Sequence, residues 1–138
     1  MQGKTFTQPA QATASTDKCK LDLTEHENYL EARMTAASLD KGQIEDYLRA
    51  IRTKLNDVQA RHLLIYRDVK NVPSTIDLFT IVIEFLQTIR GTQVALVNPH
   101  QELDEQLNFM ITVARNRGGN FRLFSDEAAA ISWLTGIP

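Results

Sequence analysis

The sequence predicts an α/β fold: an N-terminal β-hairpin followed by βα units, giving a mostly parallel sheet with packed helices. Two observations carry this. Residues 20–36 hold two runs of period-two alternation around a polar turn, as a half-buried hairpin requires. Short apolar runs at 63–66, 94–97 and 121–124 are each followed by a longer segment of helical periodicity, the pattern of strands joined by helical crossovers.

Taken in order, residues 1–18 are rich in Gln, Thr, Ala and Ser with little apolar content, so they are expected to form a flexible N-terminal tail ahead of a single domain over 19–138. Cys19 stands at the junction as an exposed, unreactive thiol. Leu21 and Leu23 share one face of the first strand. In the second, Leu30, Ala32, Met34 and Ala36 share one face, and Tyr29, Glu31, Arg33 and Thr35 the other. The first helix is marked by Asp40 as N-cap with Gln43 three positions on, and by Leu39 and Ile44 as a hydrophobic staple. Ile44, Tyr47, Leu48, Ile51, Leu55 and Val58 then form one buried stripe. The later helices are expected over Thr75–Arg90, Gln101–Arg117 and Asp126–Leu134. Gly91 and Gly118-Gly119 stop the first two, and Ser125 is expected to cap the third, with Asp126 and Glu127 at the positive end of its dipole.

The totals exclude several classes. Fifteen Lys and Arg against 17 Asp and Glu leave no basic excess to hold a nucleic-acid backbone, so no nucleic-acid partner is expected. One Cys and three scattered His give no metal-ligand cluster, and no cofactor motif appears, neither a Walker A sequence nor G-x-G-x-x-G. With no signal-peptide core and no run of about 18 apolar residues, no membrane insertion is expected; the chain reads as soluble, unprocessed and cytoplasmic. A phosphoacceptor receiver shares the alternating architecture but needs an acidic cluster, and Asp68 has no acidic companion.

The run 68-DVKNV-72 after a strand, and the closing stretch 115-RNRGGNFRLFSDEAAAISWL-134, resemble the STAS domain family of sulphate transporters and anti-sigma-factor antagonists. The pattern extends over Lys20–Leu134, with these two stretches similar residue by residue. The resemblance implies a STAS-like fold and a non-enzymatic regulatory or protein-binding role, with a protein partner or a second copy of the chain. In the phosphoregulated branch of the family an Asp-Ser-x-Gly motif carries a switch serine at a helix N-terminus. This chain has Pro73-Ser74-Thr75-Ile76 there, without the Asp or the Gly, which leaves Ser74 as the counterpart and Ser74 and Thr75 as candidates for phosphorylation or partner contact.

Ser74 has two physical readings. As an N-cap its hydroxyl accepts a bond from the next turn, and Asp77 can reach back. The same helix end suits a phosphate, although Asp77 would repel it. In the helix that follows, Leu78, Phe79, Ile81, Val82, Ile83, Phe85, Leu86 and Ile89 cover an arc of roughly 220°, wider than packing on one sheet needs. Leu78, Ile81, Val82 and Phe85 are therefore binding-face candidates for a protein, a second copy or a small apolar ligand, together with Asp68 and His100 at the C-terminal strand ends. A lipid-type carrier predicts a cavity between this helix and the sheet. A hydrolase built on Ser74 and His100 is the remaining alternative; no G-x-S-x-G elbow accompanies the pair, and no catalytic residue is assigned.

Overall fold

The computed structural model describes residues 19–137 in full and residues 4–9 through their backbone. Strands β1 (Lys4–Pro9), β2 (Lys20–Glu25) and β3 (Leu30–Ala36) form an antiparallel meander. From β3 onward the sheet is parallel: α1 (Lys41–Val58) crosses to β4 (His62–Val69), α2 (Thr75–Thr88) to β5 (Gln93–Val97), and a 3-10 turn (Gln101–Leu103) with α3 (Asp104–Asn116) to β6 (Asn120–Phe124). Helix α4 (Glu127–Thr135) closes the chain. Strand order equals chain order, so each crossover advances in the same direction. Right-handed crossovers that all advance one way stack α1, α2 and α3 on a single face. Only α4, which has no strand to follow, folds back across the other.

The burial pattern follows from this layering. Leu21, Leu23, Leu30, Ala32, Leu63, Ile65, Val94, Leu96 and Phe121 meet the three helices, whereas Leu64, Ala95 and Val97 meet Ala130 and Leu134 of α4. Strands β4 and β5 lie under helices on both faces, which is why they read as unbroken apolar runs; β2 and β3 are covered on one face and alternate. On the uncovered side of β3, Arg33 bonds Glu31 at 3.1 Å and Glu127 at 2.7 Å, and lies 4.1 Å above the Tyr66 ring. That bridge ties the start of α4 to the open part of the sheet.

Several local features differ from the sequence expectation. Lys4–Pro9, assigned to a flexible tail, pairs along the outer edge of β2 from Lys4 opposite Glu25 to Pro9 opposite Lys20; residues 1–3 and 10–18 lie outside the described residues. Main-chain bonding to an open strand edge needs no apolar pattern, so composition gave no sign of it. Strand β4 runs on to Val69, three residues past the expected end, because Arg67 occupies a core-facing position in continuous register. Helix α2 stops at Thr88 rather than Arg90. The α4 cap is Asp126, not Ser125: its carboxylate accepts from the Ala129 N–H at 3.1 Å, one residue of register later. The α1 start holds as expected, with Asp40 and Gln43 bonded reciprocally at 2.8 and 2.9 Å.

Candidate functional site

The residues of the wide apolar helix face divide by depth. Leu78, Ile81, Val82 and Phe85 are buried, with only the edges of Ile81 and Phe85 reaching a groove at the surface. Ile83 and Leu86 are partly buried against the core, which α3 also joins, and this second neighbour accounts for much of the arc. What remains outside is Ile76, 76% exposed, and Phe79, 41% exposed, beside the exposed Ser74 and Thr75. The Arg117 guanidinium sits 5.0 Å from the Phe79 ring centroid and partly shields it.

Beneath α2 the packing is incomplete. A cavity of about 70 Å³ lies between the sheet and the three helices. Met34, Ile65 and Leu96 line it from the strands, Leu78, Ile81, Val82 and Phe85 from α2, Ile44 and Leu48 from α1, and Leu107 and Met110 from α3. Interiors normally close such voids because every missing contact forfeits dispersion energy, and a void walled by apolar atoms stays dry. Leu48, Ile81 and Phe85 also line a surface groove of about 280 Å³ between α1 and α2, so the same three side chains border both spaces. The two methionines in the wall are flexible enough to reshape it.

Arg67 also lines this cavity, together with Leu39 and Pro73 from the adjoining loops. It stands on the core face of β4 opposite Met34 and is only 7% exposed. Its guanidinium donates to the Val69 carbonyl at 3.2 Å and the Asn71 carbonyl at 2.5 Å. The Asn71 side chain in turn accepts from the Leu39 N–H at 2.9 Å and donates to the Leu39 carbonyl at 3.0 Å. One network thus pins the loop after β4 to the loop before α1. Burial pushes the Arg67 guanidinium down to about 10, which still leaves it a cation at neutral pH.

The other expected residues gather at the C-terminal strand ends without forming a reactive set. His100 Nε2 meets Asp68 Oδ1 at 2.7 Å, and Glu102 lies 3.9 Å from its Nδ1. Asn98, fully buried, donates to the His100 carbonyl at 2.8 Å and Asp104 at 2.7 Å, and accepts from the His100 N–H at 3.1 Å. This is a loop lock built from one amide side chain. The Ser74 hydroxyl accepts from the Asp77 N–H at 3.2 Å and caps α2; among the described residues no hydrogen bond joins it to His100, and none returns from Asp77 to the Ser74 N–H. No group of His, Cys, Asp and Glu among the described residues is arranged to hold a metal ion, and none of the described helices is long and apolar enough to cross a membrane.

Arg67 is the site residue that sequence reasoning missed. Its signal was present, since alternation from Leu63 through Ile65 to Val69 places residue 67 on the same buried face. A comparison with protein-family models and with curated proteins finds no match to this chain. The case for function therefore rests on the α/β architecture and the geometry of the site.

Proposed function

We propose that the chain is a non-enzymatic, STAS-like binding module that acts in the cytoplasm and holds a small apolar ligand in the cavity beneath α2. The cavity itself carries this proposal: it lies where a carrier of this kind needs one, between the helix that follows the Ser74 cap and the sheet, and its walls come from three helices and four strands. Ligand sites of this type are concave, mostly apolar and furnished with few polar groups. Here Arg67 is the sole charged side chain in the wall. The test is a methyl-labelled NMR titration with small aliphatic alcohols. Shifts concentrated at Ile81, Val82 and Met34, with exposed Ile137 unmoved, support the proposal; shifts confined to exposed methyls, or none, reject it.

A second function, regulatory contact with a protein partner or a second copy of the chain in the manner of an anti-sigma-factor antagonist, is favoured by the exposed Ile76 and Phe79 beside Ser74. Without the Asp-Ser-x-Gly sequence, such contact would run through apolar surface rather than a phosphoserine. Sedimentation of the wild type and Phe79→Asp decides between self-association and none: a dimer lost in the variant supports the contact, and a monomer in both removes the second copy as partner.

A further inference from the structure

Among the described residues, Arg67 is a buried cation with neutral partners only. Among the described residues no carboxylate comes within 4.0 Å of its guanidinium. A guanidinium has five N–H donors in a planar fork, and the two carbonyl bonds to Val69 and Asn71 leave donor capacity unused. Folded proteins pair such charges, because an ion taken out of water without a counter-charge is costly. The other side chains around the cavity that Arg67 lines are all apolar. Positive charge at one position and hydrocarbon at all the others is the complement of a molecule with one anionic end and an aliphatic body.

We propose that the ligand of the cavity is a short aliphatic carboxylate whose headgroup pairs with Arg67 and whose chain lies among Val82, Phe85, Ile65 and Met34. This rests on the cavity being a binding site and adds the charge of what it binds. A single planar guanidinium matches a monoanionic carboxylate in charge and fork geometry, whereas a phosphate dianion would lack a second cation in the wall. An amine would be repelled. The space is about 70 Å³, roughly half of the 150 Å³ engineered void that admits a benzene ring, which selects a short chain over a full-length lipid tail.

The experiment compares propanoate with 1-propanol, equal in carbon number, small enough for the space and different in charge, by titration calorimetry on the full chain at neutral pH, with the Val82 methyls as an NMR reporter of the site. Wild-type protein is expected to bind propanoate at least about tenfold more tightly than 1-propanol, the effect of one charge-assisted pair. In Arg67→Met the preference should fall to within about twofold while 1-propanol still binds. If that variant fails to fold, Arg67→Gln keeps a donor for the loop carbonyls without the charge, and the wild-type ratio decides independently. Equal wild-type affinities, or a preference that survives loss of the charge, would overturn the anion while leaving the cavity as an apolar site. No binding of either compound would overturn both.

Discussion

Replacing Val82 by Ile tests the cavity through its sign. At ~24 cal/mol per Å³, a residual void of about 70 Å³ costs about 1.7 kcal/mol of stability. Val82 lines the void from α2 and is buried, and Ile keeps the same β-branch while adding one methylene. In a close-packed core that methylene would force strain and cost about 1–3 kcal/mol. Projected into the void it gains about 0.8 kcal/mol of burial and recovers part of the cavity term, so Val82→Ile should be stabilised by about 1 kcal/mol. For a chain of this size the midpoint of thermal unfolding should rise by about 3 °C, with a matching rise in the urea midpoint at unchanged m-value. Affinity for 1-propanol should fall in the same protein, since the added group occupies the ligand's space. Destabilisation by 1 kcal/mol or more would show that the wall is already filled, and would refute the cavity as a site.

Tyr47 predicts a second stabilising substitution. Its ring is buried in α1 and among the described residues its hydroxyl has no hydrogen-bond partner, so Tyr47→Phe should gain about 1–2 kcal/mol in chemical denaturation. Burial, and then the nearby Cys19, push this phenol up to about 12 from 10.0. The unfolded chain therefore loses the proton first, and the stability this group supplies below pH 10 is lost as pH rises from about 10 to about 12. Comparing wild type with Tyr47→Phe across that window isolates the effect: the variant should lack this component of the decline. Ser74→Ala should cost about 1 kcal/mol, the value of an N-cap, and leave 1-propanol binding intact, which separates the cap from the site.

What was legible in the sequence was whatever depends on local chemistry and period. Asp40 and Gln43 announced α1, alternation gave the register faces of β2 and β3, and the apolar runs 63–66 and 94–97 announced β4 and β5, which are covered on both faces. What was not legible depends on neighbours far along the chain. The buried face of Arg67 follows from local alternation, but the Asn71 side chain that ties its loop to Leu39, across the whole of α1 and β4, does not. The choice of Asp126 over Ser125 turns on one residue of register between two good caps. Leu78, Ile81, Val82 and Phe85 were visible as one broad face, and a cavity beneath it was foreseen for a ligand carrier. Its volume is a residue of packing among three helices and four strands that no single segment encodes. The exposed remainder at Ile76 and Phe79 depends on where α3 stops covering α2, again a tertiary matter.

The most direct test of the binding cavity is a crystal of the wild-type chain under xenon pressure, because xenon is apolar, compact and strongly scattering and enters dry apolar voids. A xenon atom bounded by Met34, Ile65, Val82 and Phe85 is the predicted result. Electron density showing those side chains in mutual contact, with xenon bound only elsewhere or not at all, would contradict it.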